Sequence, residues 1–229
     1  MNVRLSKSSI SQKEIHAVSD VLKKEYLGMG ENVKFFEEEI KSFLNTKMDV
    51  VCVNSGTAAL HLAIAALKLK AGDEILVPSL TYVASFQAIT ACNLVPVACE
   101  VNPETLFLDY DDTKDKITKK TKAIMPVHHS SSSIGIKEIY ELAKQNNLRI
   151  IEDAAQAFGS KNNRKLVGTR GDIICFSFDG IKNITCGEGG AVLSSDKNII
   201  DYVKDARLLG VSKDTEKRFS GERSWDFEV

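Results

Sequence analysis

The chain has 229 residues and a formal net charge of −1, with 43% hydrophobic and 27% charged residues. This composition is ordinary for a water-soluble globular protein with a substantial core, and the balanced charge gives no reason to expect nucleic acid or an acidic membrane as a partner. Five scattered cysteines without a C-x-x-C pair predict reduced thiols in a cytoplasmic protein. Residues 1–14 contain no apolar run, which predicts no signal peptide, and the apolar stretch at 58–67 is too short to span a bilayer.

Helices and strands are predicted to alternate along the chain. A capping box from Ser11 to Glu14 predicts the start of an amphipathic helix, and apolar residues from Val33 to Leu44 predict a second one. Further helices are predicted at residues 55–69, 82–92, 135–146 and 199–209. Short apolar runs predict seven strands, at residues 50–53, 74–77, 94–99, 123–127, 149–152, 173–178 and 191–194. This alternation predicts a doubly wound α/β fold with a mostly parallel sheet between helices.

The first candidate site is the start of the helix that follows the first strand. In Ser55-Gly56-Thr57, Gly56 lets a ligand or another backbone approach closely, and the helix offers N–H groups and its positive end to an anion. The Thr57 hydroxyl adds a further donor. The pattern favours a phosphate site, but a common helix N-cap with small packing residues has the same sequence.

A second candidate lies where Glu152 and Asp153 end a predicted strand, at the sheet edge where open α/β folds bind ligands. A carboxylate beside a pyridine nitrogen raises the pKa of that nitrogen and keeps the ring protonated as an electron acceptor. Asp153 is suited to this role, and Gln156, three residues further on, is within reach of an oxygen on the same ring. The alternative is a solvated Asp that caps a strand–helix junction.

Lys182 follows the predicted strand at 173–178 and precedes a glycine-rich turn, residues 187–190, that a Cβ would obstruct. Ser177 alternates in phase with Cys175 and offers a hydroxyl to a phosphate. A lone loop lysine is usually solvated, so the hypothesis that Lys182 forms a Schiff base depends on its neighbours. A phosphate loop, an Asp and a Lys in this order are the parts that a pyridoxal-phosphate enzyme requires.

Two further features of the sequence are candidates for the same site. Tyr82 presents an aromatic face that suits a flat heterocycle, although an ordinary core tyrosine explains it equally well. His128 and His129 are adjacent, and no acidic or cysteine partner stands at ligand spacing, so we expect no metal site.

Taken together, these segments resemble the sugar-nucleotide aminotransferases of the DegT/DnrJ/EryC1 family, which are pyridoxal-phosphate enzymes of fold type I. The similarity covers nearly the whole chain. It is carried by Tyr26-Leu27-Gly28, residues 55–63 and 77–84, Glu152 to Gln156, Gly171-Asp172-Ile173, Ser177-Phe178, Lys182-Asn183 and residues 187–191.

The resemblance implies pyridoxal 5'-phosphate as the cofactor and a role for each matching residue. It makes Lys182 the Schiff-base lysine, Asp153 the partner of the pyridinium nitrogen and Gln156 a contact of the ring oxygen. The other implied contacts are those of the phosphate with Gly56, Thr57 and Ser177, and the stacking of the ring on Tyr82.

The resemblance also implies an activity and partners. The expected reaction is transamination of a nucleotide-linked keto-deoxysugar, with glutamate as the amino donor and Lys182 moving the proton. Its products would supply lipopolysaccharide O-antigen or a related surface glycan. The expected assembly is a cytoplasmic homodimer with active sites at the subunit interface.

The chain departs from the family in two places. Ser131 stands near a position where the family has glycine, which predicts a strained or reshaped loop beside the site. The family's C-terminal domain, and a segment that contacts the neighbouring subunit's phosphate, are absent from this sequence. We therefore expect a helical segment at 1–30, a cofactor-binding domain at 31–212, and the start of a connection to a missing domain at 213–229.

Three alternatives stay open. A related branch dehydrates keto-sugars and has histidine in place of the Schiff-base lysine, so Lys182 argues against it. Cysteine desulfurase-like lyases share the fold type but require a mobile catalytic cysteine, which nothing here identifies. The third alternative is a catalytically inactive, truncated fragment that still binds the cofactor or a partner.

Overall fold

The computed structural model describes residues 7–25 and 27–208, and Tyr26 and the predicted connection at 213–229 lie outside them. The helices are α1 (Gln12–Lys23), α2 (Glu31–Leu44), α3 (Gly56–Ala66), α4 (Val83–Ala91), α5 (Tyr110–Asp115), α6 (Ile136–Gln145) and α7 (Lys197–Ala206). The strands are β1 (Asp49–Val53), β2 (Glu74–Pro78), β3 (Val95–Cys99), β4 (Thr121–Ile124), β5 (Arg149–Asp153), β6 (Lys161–Asn162), β7 (Lys165–Leu166), β8 (Ile173–Ser177) and β9 (Gly190–Ser194).

Seven strands form one sheet in the order β1-β9-β8-β5-β4-β2-β3. Strands β8, β5, β4, β2 and β3 pair in parallel, and β9 runs antiparallel to both of its neighbours. Six strands therefore point the same way and their carboxyl ends meet at one edge. The predicted mostly parallel seven-stranded sheet is confirmed.

Helices cover both faces of the sheet because successive strand residues point to opposite sides. In β5, Ile151 belongs to a buried cluster that includes residues of α3, α4 and α7, whereas its neighbour Ile150 packs with residues of α6. The aliphatic residues Ile40 and Leu44 of α2 bury against Ile174 and Phe176 on the α6 side of the sheet. This layering gives strands that are buried on both faces, as their continuous apolar sequences predict.

The sequence located the elements well and their ends less well. The capping box at Ser11 is present, with the Ser11 side chain bound by backbone N–H and the Glu14 side chain bound by the Ser11 N–H. Helix α3 ends at Ala66 instead of Leu69, because Lys68 adopts a left-handed conformation with φ of 51°. Helix α5 and the β6–β7 hairpin were not predicted, since they are too short to show a period.

The edge strand β1 is completed by side chains instead of another strand. The N–H of Cys52 donates to Glu37 Oε1 at 2.8 Å, and the C=O of Cys52 accepts from Arg207 Nη1 at 3.0 Å. Glu37 and Arg207 also pair with each other and are each only 14% exposed. The pair satisfies backbone groups that an open edge would offer to a second chain. None of the helices in residues 7–25 and 27–208 has the length and apolar character needed to cross a bilayer.

Candidate active site

Most of the predicted site residues lie at or just beyond the edge where the parallel strands end. Val53 and Ser177 are the last residues of β1 and β8, and both pair with Gly190, the first residue of the antiparallel β9. Asp153 ends β5, the other neighbour of β8. Segments separated by more than 100 residues in sequence therefore converge on one edge, which is where open α/β sheets bind ligands.

Helix α3 begins at this edge with its N-terminus beside Ser177. Ser55 is the N-cap residue, and its Oγ accepts a hydrogen bond from the N–H of Ala58 at 3.1 Å. The N–H groups of Gly56 and Thr57 have no acceptor within the helix, as is general for the first turn. A Cβ on Gly56 would lie 2.7 Å from Ser177 Cβ, so glycine is required for the two segments to meet. The result is an anion cradle of two N–H groups and a hydroxyl.

Gly190 makes the closest backbone contact of this cradle. A Cβ on Gly190 would lie 2.3 Å from the Ser55 carbonyl oxygen and 2.9 Å from the Gly56 nitrogen, and backbone atoms cannot move aside as a flexible side chain can. The glycine-rich turn that the sequence singled out is thus required by packing as well as by conformation.

We expect Gly190→Ala to destabilise the fold by about 3 kcal/mol, the upper end of the cost of overpacking. Urea unfolding of the 229-residue chain measures it. Gly180→Ala is the matched control, because a Cβ on Gly180 would meet nothing closer than Gly187 O at 4.0 Å. Equal midpoints for the two variants would contradict the contact.

Asp153 is a buried carboxylate that forms no ion pair with a described side chain. It is 5% exposed, its Oδ2 accepts from Ser85 Oγ at 2.8 Å, and its Oδ1 accepts from the N–H of Ala155 at 3.1 Å. No described cation forms an ion pair with it. Burial raises the pKa of Asp153, whereas the two hydrogen bonds and the charges of His128 and Lys182 lower that pKa. A charge held in this way is suited to a cationic N–H group of a ligand.

Lys182 stands in the loop between β8 and β9, and it is partly buried. Its N–H donates to the Asp179 carbonyl at 3.0 Å. The next residue, Asn183, ties the loop to the segment after β5, since its side-chain amide donates to the Phe158 carbonyl at 2.8 Å. The loop leaves the carboxyl end of β8, which is paired with the β5 strand that Asp153 ends, so Lys182 and Asp153 follow neighbouring strands at the same edge of the sheet. Asn183 belongs to the segments that carry the family resemblance, but its place in the sequence does not indicate its contact with Phe158.

Gln156 is held by the loop that contains four consecutive serines, residues 130–133. Its side-chain Oε1 accepts from the N–H of Ser130 at 2.8 Å, which leaves the Nε2 amide to donate. Ser130 and Ser131 both adopt left-handed conformations, with φ of 48° and 69°. Left-handed conformations are uncommon for residues other than glycine, so the backbone strain expected near Ser131 is present.

Tyr82 is the N-cap residue of α4 and is 72% exposed, so it is not a core tyrosine. Its ring is available to a ligand at the same edge of the sheet. Leu80, Val83 and Ile181 are also exposed here, at 38%, 53% and 67%. These four exposed side chains, Leu80, Tyr82 and Val83 after β2 and Ile181 after β8, follow the carboxyl ends of parallel strands and are called the apolar edge patch.

His128, the first of the two adjacent histidines, has a buried partner that the sequence spacing does not reveal. His128 is 1% exposed, and its Nε2 lies 2.7 Å from Glu152 Oε2. Glu152 also accepts from the Tyr140 hydroxyl at 2.6 Å, on the face of β5 opposite Asp153. Burial and the Glu152 charge raise the pKa of Tyr140 far above its usual range. Within the described part of the chain no group of metal-ligating side chains is found.

These residues fit pyridoxal phosphate on two structural observations. The unpaired, buried carboxylate of Asp153 matches a protonated ring nitrogen, and the cradle at Gly56 and Gly190 has no room for a Cβ but offers free N–H groups to a phosphate. The loop that carries Lys182 joins β8 and β9, the two strands that lie between β1 and β5 in the sheet.

Comparisons of the sequence agree with this assignment. The model of the DegT/DnrJ/EryC1/StrS aminotransferase family matches residues 8–226. GDP-perosamine synthase of Vibrio cholerae is 42% identical over 196 residues, which is 86% of this chain and 51% of that protein. The spore coat polysaccharide biosynthesis protein SpsC of Bacillus subtilis is 34% identical over 220 residues, 96% of this chain and 56% of that protein. The chain thus spans about half the length of the curated relatives it matches.

Solved structures give the same fold. Helicobacter pylori PseC, an aminotransferase involved in the biosynthesis of pseudoaminic acid, superposes with a TM-score of 0.90 at 27% identity, over 100% of this chain and 60% of that one. GDP-4-keto-6-deoxy-D-mannose-3-dehydratase of E. coli, with bound hydrated PLP, superposes with a TM-score of 0.86 at 29% identity, over 92% and 55% of the two chains.

Proposed function

The chain belongs to the DegT/DnrJ/EryC1/StrS aminotransferase family, whose members depend on pyridoxal phosphate, and from this premise we propose that it carries the catalytic lysine and cofactor site of a sugar aminotransferase. The observation that carries the proposal is the buried carboxylate of Asp153, which forms no ion pair with a described side chain and ends the strand next to the one that leads into the Lys182 loop. Such a carboxylate costs stability unless a cationic ligand group neutralises it, and the pyridinium of the cofactor is that group.

Each site residue then has a stated task. Asp153 holds the proton on the ring nitrogen, and the Nε2 amide of Gln156 donates to the ring oxygen. The N–H groups of Gly56 and Thr57 and the hydroxyl of Ser177 hold the phosphate, while Tyr82 covers a face of the ring. When bound, pyridoxal phosphate supplies a ring that accepts the electron pair left by removal of a proton from an amino substrate.

Lys182 has two tasks in this scheme. Its Nζ would hold the cofactor covalently in the absence of substrate, and the free amine would serve as the general base for the proton on the substrate α-carbon. The hydrogen bonds of Asp179 and Asn183 hold the loop that presents Lys182. A base positioned by a rigid loop loses little freedom on reaction.

The proposed amino acceptor is a nucleotide-linked keto-deoxysugar and the proposed donor is glutamate. Two curated relatives support the substrate class, because one is named as a GDP-perosamine synthase and the other as a spore coat polysaccharide biosynthesis protein. The product would enter surface polysaccharide, O-antigen or related glycan synthesis in the cytoplasm. Dehydration of a keto-sugar is the competing activity, and the sequence at Lys182 favours amino transfer.

The half-reaction with the amino donor tests the proposal without the sugar. The 229-residue chain is incubated with pyridoxal phosphate, and the change of the bound cofactor to pyridoxamine phosphate on addition of glutamate is followed by absorbance and mass spectrometry. Amino transfer to the cofactor is the expected result. Binding of the cofactor without any amino transfer from glutamate or other amino acids would favour the inactive-fragment alternative.

We also propose that a second copy of the chain covers the apolar edge patch. Exposed apolar groups of this kind mark protein–protein surfaces, and a dimer would close a site that is otherwise open to water. Sedimentation velocity is expected to show concentration-dependent association of the isolated chain, weakened at least about tenfold by Ile181→Ser. Val95→Ser is the control, because Val95 is 45% exposed at the start of β3, away from the site. An equal effect of both substitutions would contradict this interface.

A further inference from the structure

Two hydroxyl groups, those of Thr81 and Ser85, form a line of hydrogen bonds that ends at Asp153. Ser85 Oγ donates to Asp153 Oδ2 at 2.8 Å, and Thr81 Oγ1 lies 2.8 Å from Ser85 Oγ. Ser85 is fully buried in the first turn of α4, whereas Thr81 is partly buried in the loop before that helix. The three groups therefore form a line from the mouth of the site to the buried carboxylate.

The direction of the protons in this line follows from the chemistry of its members. An ionised carboxylate has no proton to give, so the single hydroxyl proton of Ser85 points to Asp153. Ser85 can then only accept at its contact with Thr81, and the proton of that bond comes from Thr81. Aligned hydroxyl groups polarise one another, so the outer donor strengthens the inner one.

The remaining contacts of Asp153 show what the line does for the carboxylate. The Ala155 N–H holds Oδ1 while Ser85 holds Oδ2, so rotation of the carboxylate is blocked at both oxygens. Burial is the largest influence on this group and favours its neutral form. The charges of His128 and Lys182 oppose burial, and a buried thiol, Cys175, lies close enough for the Asp153 charge to raise the pKa of that thiol.

We propose that Thr81 and Ser85 form a hydroxyl relay that keeps Asp153 ionised and aimed at the ring nitrogen of the cofactor, which makes Ser85 a positioning residue of the site. The proposal rests on the role proposed above for Asp153. A carboxylate that loses its donors binds a proton more tightly and takes the proton from the ring nitrogen, which weakens the ring as an electron acceptor. The relay thus controls how the proton is shared between Asp153 and the ring.

The first test needs no cofactor. The side-chain carboxyl of Asp153 is titrated by carbon-13 NMR in the cofactor-free chain, with Asp153→Asn to assign the signal. Loss of a hydrogen bond to a charged group changes the proton affinity by at least about tenfold, so Ser85→Ala is expected to raise the midpoint by about one pH unit. Thr81→Val is expected to raise it by less, and Ser85→Thr and Thr81→Ser, which keep the hydroxyl, are expected to restore it.

The second test measures the protonation of the ring nitrogen of the cofactor. Nitrogen-15 labelled pyridoxal phosphate is bound to each variant at neutral pH, and its chemical shift reports the fraction of protonated ring nitrogen. Ser85→Ala is expected to move the signal towards the neutral form. Thr90→Val is the matched control, because Thr90 is exposed on the same helix and its hydroxyl donates only to the Gln87 carbonyl.

The outcomes separate this proposal from the proposed function. The relay would be overturned if Ser85→Ala left both the Asp153 titration midpoint and the ring nitrogen-15 signal at their wild-type positions. If Ser85→Ala does not fold, an unchanged Asp153 midpoint in Thr81→Val would overturn it. A shifted Asp153 midpoint in a wild-type-like fold that fails to bind pyridoxal phosphate would support the relay and contradict the proposed function. A purely structural role of Ser85 would lower stability and leave both signals in place.

Discussion

Lys182→Ala is expected to remove measurable turnover of any form of this protein that transaminates. The loss of a general base alone costs about 10²–10⁴-fold, and the same substitution also removes the only covalent link to the cofactor that we propose. The fold is expected to be unaffected, because the side chain of Lys182 is partly exposed and its loop is held by the Asp179 carbonyl and the Asn183 side chain.

Borohydride reduction of the chain with bound pyridoxal phosphate, followed by peptide mapping, measures the same assignment directly. The expected result is one labelled peptide that contains Lys182 and no label in Lys182→Ala. Lys165→Ala is the control, because Lys165 is an exposed lysine of the β6–β7 hairpin whose removal is expected to leave labelling and turnover unchanged. A label on Lys161, Lys165 or another lysine would show that Lys182 is not the residue that binds the cofactor.

Much of the fold was predictable because the elements are regular and strongly apolar. Seven apolar runs became seven strands, and the rule that parallel strands end at one edge was enough to expect Asp153 and Ser177 in one place. The ends of elements were less predictable, because a single residue such as Lys68, with φ of 51°, decides where a helix stops. Helix α5, of six residues, was too short to be recognised.

The contacts around the site residues could not be predicted from the sequence, because they join residues that are far apart along the chain. Ser85 and Asp153 are 68 residues apart, and His128 and Glu152 are 24 apart, and no spacing within a single sequence encodes those distances. One signal was available. Ser85 lies one helical turn before Ile89 on the buried face of α4, whose other buried residues are apolar, and a polar side chain in that position requires a partner.

Asp153→Asn is expected to change stability and activity in opposite directions. In the cofactor-free chain, burial raises the pKa of Asp153 above the ordinary value of an Asp side chain. The folded chain then binds this proton more tightly than the unfolded chain does. The protonated Asp153 therefore adds to the free energy of unfolding below the unfolded pKa, and this contribution is lost as pH rises through the folded pKa. At neutral pH the ionised carboxylate is a cost, which the neutral, isosteric Asn removes.

The cofactor-free Asp153→Asn variant should therefore be more stable than the wild type at neutral pH, by about 0.5–2 kcal/mol, and this advantage should disappear in acid. Its turnover should fall by about 10²–10³-fold, since an amide cannot hold the ring proton as the electron pair develops. Cofactor affinity should fall less, because the contacts of Gly56, Thr57 and Ser177 with the phosphate remain.

Thermal unfolding at neutral and acidic pH and the half-reaction with glutamate measure the two sides of this expectation in the same samples. Ser177→Ala is a useful contrast, because Ser177 is 5% exposed at the same edge and removal of its hydroxyl should weaken cofactor binding while the pH dependence of stability stays that of the wild type. If Asp153→Asn transferred amino groups at the wild-type rate, Asp153 would not be the partner of the ring nitrogen. If that variant were instead less stable than the wild type at neutral pH, the ionised carboxylate of Asp153 would not destabilise the cofactor-free chain. Binding of a cationic group at this edge of the sheet would then not be favoured by relief of such a cost.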